Sequence, residues 1–268
     1  MKKSLALISV LGLLALSACS PALVVLHVND THSHLEPIRD SRNYGHGGII
    51  ERGAIVDSVR CVRGEDNVLL LHAGDFNQGT SYYNRFGGEP ELEAVNAFGY
   101  DCITIGNHEF DNGVQDLADR LAKIKCPVVC ANLKLEGTPL EGIVVPYTIV
   151  YRAGRKIGII GLVSDLASNV AYEISSSLVQ YDAAEVTNRY AELLKKQEKC
   201  DLVILLSHLG YFADKKIVEE TEYVDIIIGG HSHTFLDEID YEENARDREI
   251  PIITDGCWGY SVGELIVK

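Results

Sequence analysis

Val203-Ile204-Leu205-Leu206 runs directly into Ser207-His208-Leu209-Gly210, and this junction sets the reading of the whole chain. A short unbroken apolar run reads as a strand buried on both faces. An imidazole then stands where the strand gives way to a loop. The same junction recurs. Ala22 to Val28 leads into Asn29-Asp30-Thr31-His32, Val68 to Leu71 precedes Gly74-Asp75, and Ile226 to Ile228 leads into Gly229-Gly230-His231-Ser232-His233-Thr234. A fifth stretch reads Gly106-Asn107-His108-Glu109-Phe110-Asp111. Carboxylate, imidazole and amide groups therefore gather at strand ends, the edge at which open α/β sheets place their sites.

Between these strands lie helical stretches at Ile49 to Val62, Glu89 to Phe98, Val114 to Ile124 and Ala183 to Gln197. The alternation predicts an α/β fold with helices on the faces of the sheet. Val144 to Arg152, a turn at Ala153-Gly154 and Lys156 to Leu162 read as an antiparallel hairpin, so the sheets are expected to be mixed. The charged stretch Asp237 to Glu249 reads as a solvated loop, and Ser261 to Val267 as a closing strand. No long Pro, Gly or Ser linker and no internal repeat divides residues 20–268, which reads as one domain.

At 46% hydrophobic and 24% charged residues, the chain can bury a substantial core. A formal charge of −15 argues against a nucleic acid polymer as partner, because phosphate backbones demand Lys and Arg. The first nineteen residues are of another kind. Lys2 and Lys3 precede an apolar run from Leu5 to Leu16, the pattern of a secretory signal, and Leu16-Ser17-Ala18-Cys19 resembles a bacterial lipobox. The expectation is an exported, lipid-anchored envelope protein whose mature chain starts at Cys19, with a plain secretion signal as the alternative. Ser20 does not resemble an inner-membrane retention signal, and the periplasmic or surface face stays open. Of the remaining cysteines, Cys102, Cys130 and Cys200 sit in or beside apolar runs and read as reduced core thiols. Cys126 and Cys130 bracket Pro-Val-Val, which an extended strand holds too far apart to bridge.

Taken singly, most of the polar motifs have bland explanations. An Asp-x-His is usually a loop, a Gly-Asp usually a turn, and a histidine after an apolar run is as often a bonded core residue. Asn, His and Asp together after Gly106 have few structural explanations, and five such coincidences in one chain are hard to keep independent. Oxygen and nitrogen donors without thiolate suit divalent Mn, Zn, Fe or Co. The set points to a two-metal hydrolytic centre. His27 and His72 lie inside strand runs and read as core residues, His46 as a loop residue before a helix, and His34 as near enough to touch a substrate.

In their order the motifs resemble the calcineurin-like metallophosphoesterases. More narrowly, Asn29 to His32, Gly106 to Asp111, Ala131-Asn132-Leu133 and Gly230 to Thr234 resemble the bacterial and ecto-5′-nucleotidases. The resemblance implies a four-layer αββα sandwich of two mixed sheets, with a dinuclear metal site at the strand C-terminal edge. It implies that Asp30, His32, Asp75 and His233 hold one ion and Asp75, Asn107, His208 and His231 the other, Asp75 bridging. His108 would face the leaving oxygen and Asp111 would orient it, with Asn107 beside them in the catalytic group. The implied activity is release of phosphate from nucleoside 5′-monophosphates or similar small esters. Cleavage of a phosphodiester or pyrophosphate, in cyclic nucleotides or nucleotide sugars, is the alternative on the same ligands. A non-catalytic metal-binding lipoprotein is the third reading, and retention of both His108 and Asp111 speaks against it. The 5′-nucleotidases carry a second, C-terminal domain whose aromatic pair stacks the base. The motifs here match only the metal half, so nucleoside selectivity is expected to be weak or supplied by a separate polypeptide.

Overall fold

The computed structural model describes residues 22–39 and 43–268; the signal at 1–19 and Cys19 lie outside the described residues. The apolar runs form strands because each side chain has a core to enter on its own face. Along β1 (Leu23–Val28), Leu23 and Val25 enter one core while Val24, Leu26 and Val28 enter another. Along β2 (Val68–His72), Leu69 and Leu71 join the first and Val68 and Leu70 the second. With β3 (Cys102–Thr104), β4 (Val128–Val129), β5 (Val144–Val145) and β12 (Gly263–Val267) they form a sheet in the order β12-β1-β2-β3-β4-β5. Only β12 runs antiparallel to its neighbour in that sheet.

The second sheet has the order β10-β11-β9-β8-β7-β6, built from β6 (Tyr147–Arg152), β7 (Arg155–Val163), β8 (Leu202–His208), β9 (Ile226–Ile228), β10 (Asp240–Glu243) and β11 (Glu249–Ile253). Its two outer pairs are antiparallel and its inner pairs parallel, so both sheets are mixed as expected. On β8, Leu202, Ile204 and Leu206 face the first sheet, whereas Val203 and Leu205 face the helices α7 (Ala183–Glu192) and α8 (Tyr211–Glu220). The outer face of the first sheet packs on α1 (Ile49–Arg63), α3 (Glu89–Phe98) and α4 (Val114–Leu121) through Val56, Leu92, Val95 and Leu117. Three cores thus separate four layers, helix, sheet, sheet, helix. Each fully buried Leu or Ile contributes roughly 1.5–3 kcal/mol by leaving water.

Three expected boundaries move. The run Val144 to Arg152 does not stay in one hairpin: β5 pairs with β4 in the first sheet, and β6 begins in the second. Pro146, with no N–H to give a ladder, marks the crossing. Helix α4 stops at Leu121, short of Ile124, because Lys123 and Ile124 donate to Arg120 and Leu121 in tighter turns. The charged stretch Asp237 to Glu249 is not all loop. It holds edge strand β10, whose Asp240 and Glu242 pair with Lys215 of α8 at 3.0 and 2.8 Å. Charge is a common guard on an edge strand, and it hid this one. Cys102, Cys130 and Cys200 are buried as expected, and every cysteine among the described residues is a free thiol.

Candidate metal centre

The C-terminal ends of β1, β2, β8 and β9 open toward one another, and the loops that follow carry the polar motifs. Two clusters result: Asp30, His32 and His233 in one, Asp75, His208 and His231 in the other. In the first, His32 Nε2 and His233 Nε2 stand 3.0 Å apart, with Asp30 Oδ1 at 3.8 and 3.5 Å from them. In the second, His208 Nε2 lies 3.0 Å from Asp75 Oδ2, and its Nδ1 meets the Ala73 carbonyl at 2.6 Å. That carbonyl fixes the ring so that Nε2 points inward, the usual arrangement behind a ligating imidazole. Asp75 Oδ2 is also 3.9 Å from His32 Nε2, so Asp75 stands between the clusters.

The backbone shows what this convergence costs. Asp30, His32, Asp75, His231 and His233 all have positive φ, between 45° and 72°. For residues with a Cβ such a conformation is disfavoured by about 1–2 kcal/mol each, so the surrounding packing must hold it. Glycine makes room for the rest. A Cβ on Gly106 would meet Asp75 Oδ1 at 2.1 Å and His208 Nε2 at 2.6 Å. One on Gly74 would meet His208 Nδ1 at 2.7 Å, so that glycine admits the imidazole of another strand.

The donor set fits a divalent cation. Two imidazole nitrogens face each other, two carboxylates flank them, and among the described residues no Lys or Arg forms an ion pair with Asp30 or Asp75. Buried His208 Nε2 lies beside Asp75 without a directed hydrogen bond; burial opposes its charge, but the Asp75 and Asp30 carboxylates prevail and push its imidazole up to about 10. Burial lowers the imidazoles of His32 and His231, whereas the bond to the Asp30 carboxylate pushes His233 up to about 10. For Asp75, burial opposes charge, but His208 beside it prevails and holds the carboxyl well below the usual carboxylate range.

At the edge of the clusters, His108 Nδ1 meets Asp111 Oδ2 at 2.9 Å, and its ring lies 5.3 Å from that of His32. The bond to Asp111 raises the His108 imidazole above its ordinary value. Its backbone N–H donates to Asp75 Oδ1 at 2.9 Å. Asn107 is buried, its Oδ1 accepting from Ser164 at 3.3 Å. His27 and His72 are core residues as expected, pushed down by burial to about 4 and about 3. His46 is exposed in the loop before α1. His34 sits beside the first cluster and stacks on Trp258 at 4.9 Å.

Two structural participants escaped the sequence reading. Glu109 is fully buried, and its carboxyl accepts from the amides of Asp75, Phe76, Asn77 and Gly106 at 2.6–3.1 Å. It ties the Asp75 loop to the Asn107 loop. The Trp258 amide donates to the Asp30 carbonyl at 2.6 Å, and Trp258 itself has φ 61°. Asn29 strengthens that join, donating to the Gly256 carbonyl at 2.6 Å and accepting from the Asp255 amide at 2.9 Å. Asn132 turns out to be structural, its amide bonding the Val163 backbone at 2.7 and 3.0 Å.

Residues 23–235 match the family described as calcineurin-like phosphoesterase. The 5′-nucleotidase of Bos taurus is 36% identical over 253 residues, covering 90% of this chain and 42% of the relative. The human 5′-nucleotidase is 35% identical over 240 residues, 85% of this chain and 40% of the relative. The crystal structure of a 5′-nucleotidase precursor from Thermus thermophilus is similar with a TM-score of 0.84 at 32% identity, covering 92% of this chain and 51% of that one. The Haemophilus influenzae NAD nucleotidase is similar with a TM-score of 0.81 at 29% identity, covering 91% and 47%. The chain therefore spans about two fifths of the length of the curated relatives it matches.

Proposed function

The chain belongs to the calcineurin-like phosphoesterase family, and from that premise we propose that it is a metal-dependent hydrolase releasing phosphate from nucleoside 5′-monophosphates or similar small esters. The observation that carries the proposal is the pair of adjoining clusters, Asp30/His32/His233 and Asp75/His208/His231, with the His108–Asp111 pair at their edge. Asp30, His32, His233 and Asp75 would hold one divalent ion, and Asp75, Asn107, His208 and His231 the second. Bound there, the ions would supply Lewis acidity to the phosphoryl oxygens and to an attacking water. The donor set favours Mn, Zn, Fe or Co.

The chain's own part in the reaction centres on His108. Asp111 accepts from His108 Nδ1–H and favours the imidazolium, which leaves Nε2–H free to protonate the departing alkoxide. Glu109 holds the backbone that presents Asp75 and Asn107, so the ligands and the acid share one rigid support. The similarity to an NAD nucleotidase favours a second reading, cleavage of a pyrophosphate bond in the same clusters. Export through the leader at 1–19, with lipidation of Cys19, rests on the sequence pattern alone. Loss of labelled palmitate in Cys19→Ala would support it.

The test of the main proposal is phosphate release from AMP, ribose 5-phosphate, an aryl phosphate, a cyclic nucleotide and NAD, with purified protein and defined metals. Monoesters should be cleaved fastest, and a chelator should abolish the activity. Protein with full metal content that releases phosphate from no monoester would refute it.

A further inference from the structure

Behind the first cluster, four buried polar atoms without a hydrogen-bond partner among the described residues belong to residues that line one cavity. They are Ser33 Oγ, His72 Nδ1 and both carboxyl oxygens of Glu91. Arg52 and Tyr100 complete the polar lining, and the cavity measures about 20 Å³. It lies between the loop that carries Asp30 and His32, the end of β2, and the inner faces of α1 and α3. Glu91 is 4% exposed and Arg52 6%, yet the two form no direct ion pair. A buried carboxyl with neither oxygen satisfied would cost several kcal/mol, so a group of this type calls for a guest.

The size and chemistry of the lining select that guest. A cavity of 10–15 Å³ or more holds one water, and about 20 Å³ leaves no room for a polyatomic ligand. A small cation would share the cavity with the Arg52 guanidinium, which disfavours it. His72 is neutral, its pKa pushed down by burial to about 3, and its Nε2 meets Thr31 Oγ1 at 3.2 Å. In the tautomer whose Nε2–H donates to Thr31 Oγ1, His72 Nδ1 is an acceptor. We propose that the cavity binds an ordered water that donates to Glu91 and to His72 Nδ1 and accepts from Ser33 Oγ, and that Glu91 positions the first cluster through it. Three bonds are the usual number for a buried water.

Arg52, on the same cavity wall, holds the loop directly. Its Nη1 donates to the carbonyls of His34, Trp258 and Gly259 at 3.1, 3.4 and 3.4 Å. Those contacts pin the loop after β1 to the final loop, whose Trp258 amide holds the Asp30 carbonyl. Ser33 itself has φ 57°, so the water supports a strained residue next to His32. The positioning claim rests on the proposed metal reading; the water site does not.

Two measurements test these parts separately. A crystal structure of the full chain should show one water within hydrogen-bond distance of both Glu91 and Ser33 Oγ. A dry cavity, or a direct Arg52–Glu91 contact that fills it, overturns the proposal. Manganese titration without substrate then tests positioning. Glu91→Leu, which cannot hold the water, should weaken the affinity about 10–100-fold, the range for lost outer partners of metal ligands, and Glu91→Gln should restore most of it. A lower Tm with unchanged metal affinity would mean that Glu91 is only structural, and the positioning claim falls. Should Glu91→Leu not fold, Ser33→Ala carries the same prediction, since it removes the hydroxyl that donates to the water. If wild type binds no manganese, the metal reading fails, and the crystallographic water alone decides the cavity.

Discussion

The two clusters are built from similar donors but stand in different surroundings. His233 of the first is 41% exposed at the rim, while His208 of the second is wholly buried, wedged between Asp75 and the Ala73 carbonyl. The first cluster hangs on loop-to-loop contacts, from Trp258 to Asp30 and from Asn29 to Gly256. The second is part of the sandwich itself, because His208 ends β8 and Gly106 and Gly74 are shaped around it. The same ligand chemistry can therefore be a detachable feature on one side and a structural member on the other. The rim cluster should exchange its ion readily, and the buried one should lose it only with loss of fold stability.

The largest expected effect tests what joins the two. Asp75→Asn should lower activity to background and empty both clusters, because one carboxylate faces ligands of each. Near-normal turnover with full metal content would break the comparison at its hinge. His108→Ala comes next, with turnover falling roughly 10²–10⁴-fold, the range for a lost general acid, while metal content stays unchanged. Metal loss in that variant would make His108 a ligand.

A third pair of variants addresses the asymmetry itself. His233→Ala should lose one ion and keep its metal-free Tm, whereas His208→Ala should lose the other and also melt lower without metal. Equal melting temperatures for the two metal-free variants would erase the distinction between rim and core.

The smallest effect concerns the support behind the buried cluster. Asp214 of α8 accepts from Ser207 Oγ at 2.5 Å, and burial pushes its carboxyl up to about 7. A carboxyl raised on folding binds its proton more tightly in the folded state. That contribution is present below its unfolded value of about 4 and is lost as pH rises through about 7. Asp214→Asn, which cannot ionise, should therefore gain a few degrees in Tm relative to wild type between pH 5 and pH 8. A difference that is flat across that window would show that Asp214 does not titrate there.

Much of this was legible in the sequence, for a physical reason. Strands buried on both faces are unbroken apolar runs, so a ligand at the end of one stands out against it, as His208 does after Val203 to Leu206. The left-handed backbone of the candidate ligands was not legible, because Asp and His carry no mark of φ as glycine does. Glu109 was quoted within its motif but not recognised, since a carboxylate that serves three amides of another loop and one of its own looks like any helix-terminal acid. Arg52 and Glu91 were hidden in the same way: charges on helices usually mean a solvated face, and here they turn inward. Edge strand β10 was lost to its own protective charge, and the change of sheet at Pro146 to the continuity of the apolar pattern across it.

The central claim is that two adjoining clusters act together on a phosphate ester. The most direct measurement titrates metal-free protein with manganese while following phosphate release from AMP. Activity should stay low through the first equivalent, climb with the second, and level off at about two ions per chain, as expected for a shared two-metal site. A plateau at one ion per chain, or two bound ions with no phosphate released, would contradict the account.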